Sequence, residues 1–216
     1  MQPDGLQPAL TEICEQLGLE SDAAWRDRLL AYLGLLQRWN ATYNLTAVRD
    51  PQEMLTQHLA DCLAVVGPLR RHLGTGTVRR LLDVGSGGGL PGVVLAAVEP
   101  GWTVTCVDTV GKKAAFIRQA AVELGLKNLH AEHARVEALR LAPFDLITSR
   151  AFASLGDFVR LTRALLAPQG VWAAMKGRQP DDELSALPSG IEVFHVEPLS
   201  VPGLDAERCL IWMRPR

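Results

Sequence analysis

The sequence lacks paired cysteines. Its four, Cys14, Cys62, Cys106 and Cys209, stand far apart, with no Cys-x-x-Cys spacing among them. That argues against a zinc ribbon and a disulfide framework, so no metal is expected and a reducing compartment fits best. Long apolar runs are missing too. None reaches the roughly 18 residues of a helical membrane span. Met1 to Leu10 is polar and carries an acid, unlike the basic start of a secretory signal. The expectation is a soluble, cytoplasmic protein with no membrane partner. There are no internal repeats and no low-complexity tracts. Nor is there an excess of positive charge: the formal net charge is -2. A free-standing nucleic-acid binder is usually basic. Any RNA partner would have to be met by a local patch.

What is present is ordinary for a globular chain: 216 residues, 48% apolar and 21% charged. That length suits one α/β domain with a small helical addition. From Asp22 to Trp39 the apolar residues Trp25, Leu29, Tyr32, Leu33, Leu36 and Trp39 recur at steps of three and four, one face of a helix. A turn-rich stretch, Asn40 to Asp50, follows. Asp50, Pro51 and Glu53 then read as N-cap, first helical residue and capping-box acid. Leu55, Leu59 and Leu63 would line the buried face of that second helix. Seven short apolar runs come next, beginning at Val78, Thr103, Asn128, Phe144, Val171, Glu192 and Cys209. Helical patterns separate the first five, clearest at Lys112 to Leu124. Strand alternating with helix predicts a parallel sheet covered on both faces. The last two runs lack a long helix between them, which predicts an antiparallel final strand. Pro180 to Gly190 reads as a loop with one helical turn.

The strongest signal is Asp83-Val84-Gly85-Ser86-Gly87-Gly88-Gly89-Leu90-Pro91-Gly92, at the end of the first strand. Glycine permits a sharp turn and lets a ligand touch the main chain. Asp83 can hold the loop by accepting its N–H groups. A dinucleotide site would need Gly-x-Gly-x-x-Gly, to seat pyrophosphate on a helix N-terminus. Here the third glycine comes one position early, which favours a ligand without phosphate, such as an adenosyl amino acid. Asp108 ends the next strand, 23 positions after Gly85. An acid there can accept ribose hydroxyls, or cap the following helix.

These features, with several shorter stretches, resemble one family. The stretches are Arg38-Trp39-Asn40, Tyr43-Asn44-Leu45-Thr46, His58-x-x-Asp61, Asp108-x-x-Gly111-Lys112-Lys113, Arg135-Val136-Glu137, Ser149-Arg150-Ala151-Phe152-Ala153-Ser154, Lys176-Gly177 and Val201 to Arg208. In order and spacing the chain resembles the bacterial 16S ribosomal RNA guanosine-N7 methyltransferases, the RsmG or glucose-inhibited division protein B family. The resemblance runs roughly from Leu33 to Trp212. It departs at Gly88, where the family often has proline, and at Lys112-Lys113, where it often has Lys-Arg. It implies a class I S-adenosylmethionine-dependent methyltransferase fold: Rossmann-like, seven-stranded, mostly parallel, with an antiparallel last strand and an N-terminal helical cap. The division implied is a cap over 1–76 and a cofactor-binding domain over 77–216, together one compact unit. S-adenosyl-L-methionine would be the cofactor and 16S ribosomal RNA, or the small ribosomal subunit, the partner. Gly85, Leu90, Asp108, Val136, Glu137 and Arg150 would line the cofactor pocket, with Gly87 and Gly89 shaping the loop.

Arg150 and Lys176 are the expected catalytic pair, each following a strand at the edge where methyl transfer occurs in such folds. Arg150 can hold a cofactor carboxylate or an RNA phosphate, with a surface salt bridge as the alternative; Lys176 can face an incoming phosphate or be a solvated strand-end lysine. His58 and Asp61 share a helix face and would brace the cap against the sheet. Arg49, Lys112, Lys113 and Arg118 are candidates for an RNA patch. No Asp/Asn-Pro-Pro-aromatic motif of adenine amino-methylases follows the fourth strand, and no cysteine-proline nucleophile of cytosine C5 enzymes. Guanine N7 fits that gap, because its lone pair is free at neutral pH. A small-molecule methyltransferase and a non-catalytic cofactor-binding module remain open alternatives.

Overall fold

The computed structural model describes residues 5–20, 22–74, 79–150, 152 and 154–216. The sequence run beginning at Val78 starts outside them. Helices α1 (Gln7–Gln16) and α2 (Ala23–Tyr43) open the chain. Asp22 caps α2 by accepting from the Ala24 N–H at 2.9 Å. The helix ends where Asn44 enters the left-handed region, φ 49°. It therefore runs one turn beyond Trp39, into what the sequence marks as a turn. Asn40 explains the difference. Its buried amide accepts from the Thr46 N–H at 2.9 Å and donates to the Val48 carbonyl at 3.3 Å, so the turn folds back onto the helix that carries it.

Asp50 caps the next helix as expected, accepting from the N–H groups of Gln52 and Glu53. Helix α3 (Pro51–Met54) passes directly into a π-helical turn, Leu55–Ala60, then α4 (Asp61–Leu63) and α5 (Val66–Leu73). Leu55, Leu59 and Leu63 are buried. A π turn is wider than an α turn and is frequent at functional sites; this one carries His58.

The strands are β1 (Arg79–Val84), β2 (Trp102–Asp108), β3 (Leu129–His133), β4 (Phe144–Ser149), β5 (Leu166–Lys176), β6 (Ile191–Pro198) and β7 (Cys209–Pro215). They form one sheet in the order β3-β2-β1-β4-β5-β7-β6. The first five are parallel, and β7 lies antiparallel between β5 and β6. Helices α6 (Gly92–Val98), α7 (Gly111–Glu123) and α8 (Leu155–Thr162) make three of the crossovers, and α9 (Asp181–Ser185) is the single helical turn of the late loop. The connection from β3 to β4 departs from the expected helix. It holds one 3₁₀ turn, Val136–Ala138. Only Val136 and Leu139 are buried there, three apart, which a single turn satisfies.

Alternation along the strands sends side chains to opposite faces. Leu81, Val104, Cys106 and Ala173 pack with Tyr32, Leu36, Val93 and Phe116 of α2, α6 and α7. Leu82, Val107, Ile147 and Trp172 pack with Phe158 and Val159 of α8. Burial on both faces accounts for the near-continuous apolar strand runs. The first of these cores extends from Leu10 to Trp212, so helical third and sheet share it.

Candidate active site

Parallel strands place their carboxyl ends on one edge, where open α/β sheets bind ligands. The glycine loop after β1 lies there. Gly85, Gly87 and Gly89 have φ of 67°, 58° and 90°, values that disfavour any other residue. The loop is fastened from several sides. The Gly85 N–H donates to the Val107 carbonyl at 2.9 Å. The Gly87 N–H donates to Asp108 Oδ2 at 3.0 Å and the Gly92 N–H to Asp83 Oδ2 at 2.9 Å. Tyr32 on α2 donates its hydroxyl to the Gly88 carbonyl at 2.7 Å. Asp83 is fully buried, and among the described residues its Oδ1 has no partner. Burial pushes its carboxyl up to about 7, against the opposing effects of the Gly92 N–H and the Arg150 guanidinium.

Beside the loop is a cleft of about 580 Å³. Gly85, Asp108, Val136 and Glu137 all line it, so four of the sequence-predicted cofactor residues meet. A Cβ built on Gly85 or Gly87 would meet nothing within 4 Å, so open space lies directly against this main chain. Asp108 accepts from Gly87 N–H and, at 2.8 Å, from Val110 N–H, one bond per carboxylate oxygen. Each oxygen keeps a second lone pair for a ligand hydroxyl. An adenosyl amino acid fits this set: bare glycine backbone, a hydroxyl acceptor, apolar walls at Val107, Val136 and Phe152. Gly89 and Leu90 turn the other way. A Cβ on Gly89 would stand 2.6 Å from Val93 Cγ2, and Leu90 is buried in the core. They shape the loop from behind.

Arg150 lies apart from this cleft. It lines a second pocket of about 420 Å³ with Gln57, His58, Asp61, Lys176 and Arg208. Arg150 Nη1 donates to the Gln57 carbonyl of the π turn at 3.0 Å and approaches Asp61 Oδ2 at 3.4 Å. Asp61 Oδ1 accepts from Arg208 Nε at 2.8 Å. Lys176 Nζ is 2.9 Å from both oxygens of Glu183. The expected catalytic pair thus shares one pocket, but Lys176 comes already paired. Asp61 ties the cap to the sheet side through two arginines, whereas His58 bonds inside the cap, its Nε2 2.9 Å from Thr46 Oγ1. Burial, then Arg150, pushes His58 below the usual histidine range, so the ring is neutral. The flanking Ala151 and Ala153 lie outside the described residues.

The suggested RNA patch is divided. Lys113 lines the first cleft, 3.8 Å from Asp108 Oδ2. Arg118 Nε donates to the Ala131 carbonyl and Arg49 to Asn44 Oδ1. Sequence reading also left Tyr32, Phe152 and Arg208 without a role at the site. Tyr32 had only its place on a buried stripe, which is also what a plain core residue shows. Among the described residues no group of acids, histidines and cysteines could hold a metal, and no helix is long and apolar enough to cross a membrane.

Two solved structures share this architecture. One is TrmN from Thermus thermophilus, at TM-score 0.58 and 22% identity over 72% of this chain and 49% of that one. The other is 1,6-didemethyltoxoflavin-N1-methyltransferase of Burkholderia thailandensis, solved with bound 1,6-didemethyltoxoflavin and S-adenosylhomocysteine, at TM-score 0.57 and 19% identity over 86% and 89%. Sheet order, antiparallel β7 and the glycine loop under an acid-lined cleft define a class I methyltransferase. Sequence similarity narrows this further. The family model described as GidB, rRNA small subunit methyltransferase G, matches residues 26–211. Ribosomal RNA small subunit methyltransferase G of Leptothrix cholodnii is 61% identical over 100% of this chain and 98% of that protein. The protein of the same name from Methylibium petroleiphilum is 62% identical over 96% and 94%. The chain belongs to the GidB family of small-subunit rRNA methyltransferases.

Proposed function

We propose that this chain transfers a methyl group from S-adenosyl-L-methionine to N7 of a guanosine in 16S ribosomal RNA, acting on the small ribosomal subunit in the cytoplasm. The observation that carries this reading is the convergence of Gly85, Asp108, Val136 and Glu137 on one cleft in a chain of this family. Asp108 would hold the ribose hydroxyls, and Val136 with Phe152 the apolar ring. When bound, S-adenosylmethionine supplies a methyl group already activated on a sulfonium. Asp83 holds the loop from below, and Arg150 and Lys176, over the ends of β4 and β5, would orient the acceptor. N7 carries a free lone pair at neutral pH, so the residues have a positioning task and no proton to remove. Residues 1–76 serve as the cap and 77–216 as the cofactor domain.

The test is methyl transfer from labelled cofactor to small subunits from cells lacking the gene, followed by nucleoside analysis. One guanosine should become 7-methylguanosine, with a single-turnover rate flat from about pH 6.5 to 8.5. A rate that rises through that window and is flattened by His58→Asn would reveal a general base, and N7 would not be the acceptor. Methylation of metabolites in place of subunits would overturn the substrate.

A further inference from the structure

We infer that the pocket formed by Arg150, Lys176 and Arg208 is a phosphodiester subsite for the RNA acceptor, with Arg208 as a binding residue. This rests on the rRNA reading above. The sequence poses the problem: a chain of net charge -2 must meet a polyanion through a local patch. This pocket is such a patch. It gathers three cations from chain segments far apart, one after β4, one at the end of β5 and one just before β7. Two carboxylates answer them, Asp61 and Glu183, which leaves one positive charge in excess.

The arrangement around Asp61 says how that excess is presented. Asp61 is buried and meets one nitrogen of each arginine. Arg150 spends Nη1 on Asp61 and Gln57, and Arg208 spends Nε on Asp61 and Nη1 on the Glu207 carbonyl. Among the described residues Nη2 of both arginines has no protein partner, and neither atom is sealed from solvent. A buried carboxylate thus holds one nitrogen of each arginine and leaves Nη2 of each unspent beside a solvent-open pocket. A guanidinium N–H so exposed can donate a charge-assisted hydrogen bond to a phosphate oxygen. The neutral His58 beside them adds a polar wall without a further charge. The pocket sits over the carboxyl ends of β4 and β5, next to the strand ends that carry the cofactor cleft. A nucleotide whose base reached the methyl group would bring its own phosphates to this edge.

Binding of a short guanosine-containing oligoribonucleotide, followed by fluorescence anisotropy over a salt series, tests this. Arg208→Gln should bind about tenfold or more weakly, having lost a charge-assisted hydrogen bond. The slope of log K against log salt should fall by about 0.7, one single-strand phosphate contact. Calorimetric affinity for S-adenosylmethionine should stay at the wild-type value. Unchanged RNA affinity and slope would overturn the inference, as would no measurable oligonucleotide binding by the wild type. A loss confined to cofactor affinity would assign the pocket to the cofactor's carboxylate and overturn it too. If Arg208→Gln fails to fold, Arg208→Lys decides: it keeps the charge beside Asp61 and gives up the Nη2 donor, so weaker binding at an unchanged slope supports the subsite and wild-type affinity refutes it. Oligonucleotide binding by wild type without methyl transfer to small subunits would keep the subsite and remove the proposed reaction.

Discussion

Tyr32→Phe isolates the link between the helical cap and the cofactor loop. The tyrosine ring is fully buried, its centroid 6.0 Å from that of Phe116, and phenylalanine would fill the same space. Burial pushes the hydroxyl well above the usual phenol range, so it is a donor at any working pH. What the substitution removes is one bond, 2.7 Å long, to the Gly88 carbonyl. Such a bond contributes about 0.5–1.5 kcal/mol net. Gly88 is only half-buried, so water can reach its carbonyl and the low end applies. The melting temperature should fall by about 2–4 °C for each kcal/mol in a domain of this size. The loop has a second consequence. If that bond keeps the loop in its binding shape, cofactor affinity drops by the fraction of molecules in which the loop is released. A 1.4 kcal/mol effect is tenfold, so about tenfold is the ceiling. Urea unfolding and calorimetry with S-adenosylmethionine measure the two effects, and turnover at saturating cofactor should match wild type. A stability loss above about 3 kcal/mol would show ring repacking, outside the range of a single hydrogen bond. No change in either quantity would mean that the cap only packs against the loop.

Two glycines should separate folding from binding. A Cβ at Gly92 would collide with Cys106 Sγ and stand 3.0 Å from Asp83 Oδ2, all buried, so Gly92→Ala should lower unfolding free energy by about 1–3 kcal/mol in urea titration. A Cβ at Gly85 meets nothing within 4 Å but takes φ 67°, so Gly85→Ala should cost only about 1–2 kcal/mol of stability. It should nonetheless lose cofactor affinity; wild-type affinity by calorimetry would remove Gly85 from the site. Asp83 predicts a pH effect. Its folded value of about 7 lies above the ordinary 3.8, so the native state favours the protonated acid. Stability from this group is full below the unfolded value and falls as pH rises towards 7, by at most about 1.4 kcal/mol per unit. Asp83→Asn keeps an acceptor for Gly92 without the ionisation. Its stability advantage over wild type should grow from pH 5 to 7 in cofactor-free protein, and parallel curves would refute the burial argument.

Local chain chemistry determined a large part of this protein. The strand runs are legible because burial on two faces leaves few positions for polar residues, and the glycine loop because positive φ at Gly85, Gly87 and Gly89 admits little else. Asp50 is readable as a cap because the bonds it makes reach only two or three residues along the chain. Asp108 shows the limit. Its type and place at a strand end suggested a site, and only the fold shows it bonding Gly87, 21 positions away. The β3–β4 crossover was misread because apolar spacing in so short a segment does not separate one 3₁₀ turn from a helix. Charge was the least legible property. Lys176 read as a free strand-end cation, and the fold pairs it with Glu183. Arg208 read as part of a terminal motif, and the fold sets it against Asp61, 147 positions earlier. Pairing of charges depends on distances of a few ångströms between segments, and those distances exist only once the cap has packed onto the sheet.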